Sequence, residues 1–385
     1  GPGRAPRVAC GFGTMDAPPW LVHLHPAPNP PCTMPKRASA PLVDPSTWRA
    51  LHHLAGELEK LAPWEFASDT EWVGLVDPDD REYRLANILG NAREVFAAVI
   101  YRRTGIGWLL KVLDDDFAPD DLNTVEGMDC LKVEFVPRRE LVKEDLAVLN
   151  AIGFKPAGRG SRWPQFRSSI PGWHPWHIDQ AEADQLLRDL PRLIAFFRLF
   201  EGNPSMFKRR SAHELPFLPA ELPDRPLGLD DLDWRSCMRL PDPPLSPFTP
   251  TQDELDRLRK LQCTPGLVYE FDSALMPGAS FIEEGRPCFG RMALLVESRS
   301  GTVIGAQVKP GGVAPGAATG SAFVSLLLQS PRRPSRLLLR NPRWPPVVEG
   351  VCGALGIEVR MAKRLPALEE ALSHLGRFMA GGGMR

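Results

Sequence analysis

What constrains the fold most is the order of apolar runs from Leu267 to the C-terminus. Leu267–Asp272, Arg291–Glu297 and Thr302–Lys309 read as strands, the last two joined by a tight turn at Ser298–Gly301. Helical periodicity takes over at Ala322–Gln329, and a strand follows at Arg336–Arg340. Val347–Leu355 is a helix stopped by Gly356, Ile357–Met361 a strand, and Ala367–Met379 a helix with Leu368, Leu372 and Leu375 on one side. The resulting order, β-β-β-α-β-α-β-α, predicts an α/β domain with a mixed sheet over residues 265–380.

The front of the chain has a different grammar. Asp44 caps and Pro45 opens a helix to Leu61, with Trp48, Leu51, Leu54, Ala55, Leu58 and Leu61 on one face. Strands are expected at Trp72–Val76, Glu82–Leu89 and Glu94–Tyr101, separated by turn residues. A short helix Gly107–Leu113, a strand Asp129–Val136, and helices Glu140–Ile152 and Ala181–Phe200 complete an α+β domain over 44–202. Residues 203–264 are expected as a Pro-rich linker with local structure, including a helix Gln252–Leu261. Residues 1–43 read as a disordered or upstream tail with Met34 as a natural start, and 381–385 as a disordered tail.

The charge divides along the same boundary. Ser46–Ala195 carries 18 basic and 25 acidic residues, Pro265–Arg385 14 basic and 9 acidic, within a chain of net charge −1. Any contact with a polyanion is therefore expected from the second domain. The seven cysteines show no CxxC pair and no histidine at zinc spacing, a reduced, cytoplasmic pattern. No apolar run approaches a membrane span, so no membrane partner is expected.

Two groups of residues carry a resemblance. One is Pro63-Trp64-Glu65-Phe66, Gly90 to Glu94, and Trp163-Pro164-Gln165-Phe166-Arg167 running into Pro171-Gly172-Trp173-His174-Pro175-Trp176. The other is Tyr269-Glu270-Phe271-Asp272, then Ile282 to Pro287, then Arg291–Glu297. Together they resemble an uncharacterised family of bacterial proteins built from two domains of unknown function, some with a cysteine-rich zinc tail that is absent here. The resemblance implies a bacterial origin and the two-domain division over residues 45–380, and no activity. The element order of the second domain is that of the ribonuclease-H-like fold, a fold-level analogy. In the family pattern acidic residues end the second and fourth strands of this domain; here the second ends in Glu297, still acidic, and the fourth in the neutral Asn341.

Ribonuclease-H-like chemistry uses carboxylates to hold two divalent metals on either side of a phosphodiester. The candidate catalytic residues are Asp272, Glu297, and Glu369 or Glu370, with Mg or Mn as the implied cofactor and Asn341 as a poor fourth ligand. Arg332, Arg333, Arg336, Arg340 and Arg343 surround the fourth strand as a possible phosphate-facing ridge, although arginine is favoured throughout, at 36 against 10 lysines. The aromatic segment Arg159–Trp176, with Trp163, Phe166, Arg167, Trp173 and Trp176, is either a binding surface or a long loop folded over the sheet as satellite core. His174 and His177 have no Asp or Cys at ligand spacing, and His52 and His53 flank a helical apolar face as structural residues. The acidic stretch Asp114–Asp121 lacks calcium-loop spacing, the glycines at 311, 312, 316 and 320 lack the Lys-Ser/Thr of a phosphate loop, and no G-x-S-x-G is present. The leading expectation is a non-catalytic or catalytically decayed interaction protein with a protein partner, nucleic acid being the less favoured one. The alternative is a divalent-metal phosphodiester enzyme of nuclease type.

Overall fold

The structure, a computed structural model, describes residues 43–77, 82–113, 127–155, 162–208, 211, 213–237 and 245–381. Of the expected tails at 1–43 and 381–385, residues 1–42 and 382–385 lie outside the described residues, as does the acidic stretch Asp114–Asp121; Val43 is buried in the core and Gly381 ends a helix.

Helix α1, Pro45–Leu61, begins where Asp44 accepts the Ser46 N–H. Leu51, Ala55 and Leu58 on its inner face are fully buried. The strands β1 Val73–Val76, β2 Tyr83–Leu89, β3 Ala97–Tyr101, β4 Cys130–Val136 and β5 Trp163–Ser169 follow, with α2 Thr104–Leu113 after β3 and α3 Lys143–Ile152 after β4. Helix α4, Gln180–Gly202, is held at its start by a reciprocal Asp179–Glu182 capping box. Side chains alternate across the sheet. Leu75, Ile88, Ile100 and Val133 join α1 and α4 in the larger core, while Leu85, Val99 and Tyr101 join Ile106 and Leu109 of α2 on the other face.

The Pro-rich stretch 203–264 is not a bridge between finished domains. Its strands β6 Glu214–Leu218 and β7 Asp233–Ser236 complete a seven-stranded sheet in the order β5-β4-β3-β2-β1-β6-β7, with β6 parallel to β1. Its later part packs on the second domain. The Phe248 N–H donates to the Val347 carbonyl at 3.2 Å. A Cβ on Gly320 would stand 2.2 Å from the Phe248 Cβ, so that glycine is what lets the segment lie so close. Helix α5, Gln252–Arg259, follows, with Thr251 and Glu254 forming its capping box.

The second domain is built on β8, Cys263–Glu283, which is 21 residues long. Around it lie β9 Arg286–Glu297, β10 Val303–Pro310, β11 Arg333–Leu339 and β12 Glu358–Met361 in the order β10-β9-β8-β11-β12. The β8-β9 and β9-β10 pairs are antiparallel; β8-β11 and β11-β12 are parallel. Helices α6 Pro315–Gln329 and α7 Pro345–Leu355 cover one face, where Phe323, Val347 and Val351 pack on Tyr269, Phe271 and Leu337. Helix α8, Pro366–Gly381, covers the other through Leu365 and Leu368 against Leu294 and Val296. Phe271 and Phe323 are fully buried with ring centroids 5.0 Å apart, and truncating either to alanine costs about 3–5 kcal/mol. Both domains therefore mix helices with a mixed sheet.

Candidate functional site

Strand β8 carries a carboxylate at two alternate positions of its α8-facing side, Glu270 and Asp272, which are 1% and 6% exposed. Each is buried with its partners. Glu270 accepts the Ser298 hydroxyl at 2.7 Å and the Leu368 N–H in the first turn of α8 at 2.9 Å, so a sheet carboxylate fills the N-terminus of the helix lying on it. Asp272 accepts the Ser273 N–H at 2.8 Å and the Trp344 Nε1–H at 3.0 Å through Oδ1. Its Oδ2 accepts Arg340 Nη2 at 3.2 Å. Burial raises the Asp272 pKa, opposed by the Arg340 charge and by hydrogen bonds from Ser273, Trp344 and Arg340.

Arg340 stands one residue beyond the end of β11, whose Leu339 is paired with Phe271 of β8. Its guanidinium reaches Asp272 on one side, and Nη1 lies 3.8 Å from Glu369 Oε1 on the other. Glu369 also accepts Arg364 Nη2 at 2.6 Å, and that hydrogen bond holds its carboxyl below the ordinary glutamate range. A strand, a strand end and a helix start thus meet at one cation, the side chain of Arg340. The place is the carboxyl end of β11 beside β8, where open α/β sheets form their crevices.

The three candidate carboxylates do not converge. Asp272 and Glu369 come together through Arg340; Glu297 does not join them. Asp272 is paired with Leu294, and Glu297 with Tyr269. Glu297 is three positions along β9, about 10 Å away, and the alternation of side chains puts it on the opposite face of the sheet. Asn341 does not face the pair either: its Oδ1 accepts the Arg343 N–H in the turn leading to α7.

The arginine ridge is also divided. Arg332 precedes β11, Arg333 begins it, and Arg340 and Arg343 follow its end, about 25 Å away at the rise of a strand. Arg336 between them donates to Glu358 of β12 at 2.8 Å.

The aromatic segment has its own geometry. Trp163 to Ser169 is strand β5, not a loop. Trp163 packs on Phe154 with Arg138 over its ring. Phe166 is 3% exposed, between Trp48 and His52. Arg167 makes a two-bond ion pair with Asp145, at 2.8 and 2.5 Å. Trp176 exchanges backbone hydrogen bonds with Ser168. The stretch between them reaches the second domain. The Phe289 N–H donates to the Gly172 carbonyl at 3.0 Å and the His174 N–H to the Pro287 carbonyl at 3.1 Å, with Trp173 bridged to Cys288. Residues 172–174 therefore extend the sheet along β9 where β10 leaves it. Arg286 clasps the seam by donating to the carbonyls of Ser168 and His174, its guanidinium 5.3 Å from the Trp173 ring centroid. The His174 ring lies 3.9 Å from that of Phe289, with Nε2 2.8 Å from the Ser280 hydroxyl, and burial lowers its pKa.

Sequence reasoning passed over Glu270 and the role of Arg340. The signal for Glu270 was the alternation Tyr269-Glu270-Phe271-Asp272, which puts two acids on one face of an apolar strand. Arg340 was visible only as one arginine among many.

Residues 48–216 match the family model of a domain of unknown function, DUF7309, and residues 254–376 that of a second, DUF6930. Two domains of unknown function in one chain is the division that the residue resemblance implied. No curated protein matches. One solved structure that aligns is the cryo-EM structure of a simian T-cell lymphotropic virus intasome in complex with PP2A regulatory subunit B56 gamma. The identity is 16%, over 31% of this chain and 44% of that one, with a TM-score of 0.24.

Proposed function

We propose that this chain of two domains of unknown function works by binding, and that its second domain is a ribonuclease-H-like scaffold in which an arginine takes the place of a catalytic cation. The strand order supports the scaffold: the first three strands of the domain form a meander, and the fourth lies parallel beside the first. The observation that carries the non-catalytic reading is Arg340, with one guanidinium nitrogen 3.2 Å from Asp272 and another 3.8 Å from Glu369. A divalent ion here would have to displace that guanidinium. It would also compete for an Asp272 oxygen already accepting two N–H groups. The carboxylates of β8 tie helix and strand ends together instead. A protein partner fits better than nucleic acid, because the β11 arginines are split between two ends, and Arg336 and Arg340 among them are engaged with Glu358, Asp272 and Glu369. The cytoplasmic location and bacterial origin belong to the same reading. The first rests on the free cysteines, of which Cys130, Cys237, Cys288 and Cys352 are buried, and the second on the residue resemblance.

The test is a phosphodiester cleavage assay of the full chain on single- and double-stranded DNA and RNA with Mg or Mn. We expect no cleavage above that of Asp272→Ala. Metal-dependent cleavage lost in Asp272→Ala would reverse the reading in favour of the enzyme.

A further inference from the structure

An unpaired sheet edge offers a row of free N–H and C=O groups, and folded proteins blunt such edges with charge, shortness or cover. Among the described residues the two sheets end in four strands, β5, β7, β10 and β12. Three are blunted. Strand β7 is four residues long, with Asp233 and Arg235 paired along it. Strand β12 is four residues long, with Glu358 and Arg360 exposed. Strand β5 carries the Arg167–Asp145 pair and is met at its end by Trp176.

Strand β10 is different. It is eight residues long, and its one charged residue, Lys309, is drawn toward α6, where Nζ donates to the Ser321 hydroxyl at 2.7 Å. An irregularity in register between Val303 and Gly305 changes which residues share a face. Val303 is paired with Val296, Ala306 with Leu294 and Val308 with Met292, so all three lie on the α8 side. Helix α8 packs over β8 and β9 and leaves them open: Val303 is 47% and Val308 45% exposed, and Ala306 is exposed between them. A free edge and an apolar strip therefore coincide on one strand.

We propose that β10 is a self-association strand, pairing antiparallel with β10 of a second copy about a two-fold axis at Ala306. The two five-stranded sheets would join as one of ten strands. The side chains argue for a second copy. The two-fold places Ala306 opposite itself and Gly305 opposite Gln307, and past the irregularity it brings Val303 opposite Val308 on the α8 side, so apolar side chains meet across the pair and no like charges face each other. The exposed valines of each copy add to the same apolar strip on one face of the joined sheet.

The test is sedimentation velocity on the full chain across micromolar concentrations, with two variants. The expected result is a concentration-dependent dimer, weakened by about tenfold or more in Val308→Lys, with an unchanged melting temperature at concentrations where both chains are monomeric. The second variant is Ala306→Cys in a chain whose exposed Cys263 is replaced by serine. The paired Cα atoms would lie about 4.5–5.5 Å apart, within disulfide range, so mild oxidation should give a covalent dimer, whereas Arg360→Cys on the far edge should not. A chain that stays monomeric at the highest concentration overturns the proposal and leaves β10 to a different partner. So does a dimer indifferent to Val308→Lys and uncrosslinked through Ala306→Cys.

Discussion

Asp272 is buried beside one guanidinium, and removing that cation leaves a carboxylate in a poor environment. Arg340 is itself about a third exposed, which discounts the cost below that of a fully buried pair. Arg340→Ala is expected to lose about 1–3 kcal/mol in urea unfolding at neutral pH. If the guanidinium stands in for a metal, Mn should raise the melting temperature of Arg340→Ala while leaving that of the parent chain unmoved. A second residue-scale prediction concerns His52, which is 2% exposed among Trp48, Phe154 and Phe166. Burial lowers its pKa from 6.5 to about 4, against the weaker pull of Asp145. The unfolded chain takes up a proton that native His52 refuses. Stability is therefore whole above pH 6.5 and falls as the pH drops toward about 4, by up to about 3 kcal/mol. Urea unfolding of the parent and of His52→Phe at neutral and mildly acidic pH measures this; the variant should lose the histidine's share of the slope.

Elements were legible where their signals were local. Asp44 and Pro45 announced α1, and Gly356 ended α7, because caps are decided within a few residues. Elements set by distant partners were hidden. Strand β8 is interrupted in sequence by Pro265-Gly266 and Pro277-Gly278, so only Leu267–Asp272 read as strand, although pairing with β9 and β11 extends it to both sides. Strand β5 was masked by Pro164, and α6 begins seven residues earlier than its periodicity suggested, its Gly320 making room for Phe248 rather than for a loop. At the site, Asp272 and Glu369 could be found as acids at strand and helix positions. The exclusion of Glu297 needed the register, which a chain read alone does not contain. The seam offers a test at this scale. Gly172 has φ +86, and a Cβ there would stand 2.1 Å from the Gly311 carbonyl oxygen. Gly172→Val should therefore detach residues 172–174 from β9 and separate one calorimetric transition into two. Gly353→Ala, which meets nothing within 4 Å, should keep the parent profile. A single unshifted transition in Gly172→Val would show that the seam does not couple the domains.

At the scale of the molecule, the N-terminal domain completes an edge of the C-terminal sheet, and the β11 arginines form no continuous face. Arg332→Glu with Arg333→Glu is expected to leave retention on immobilised DNA or RNA unchanged; a loss with the expected salt dependence would restore the nucleic-acid reading. The account depends above all on which cation lies between Asp272 and Glu369. Anomalous scattering from crystals of the parent chain soaked in Mn measures that directly. The prediction is no Mn peak at this place and a guanidinium of Arg340 still between the two carboxylates. A Mn ion bound to Asp272 and Glu369, with Arg340 turned away, would contradict it.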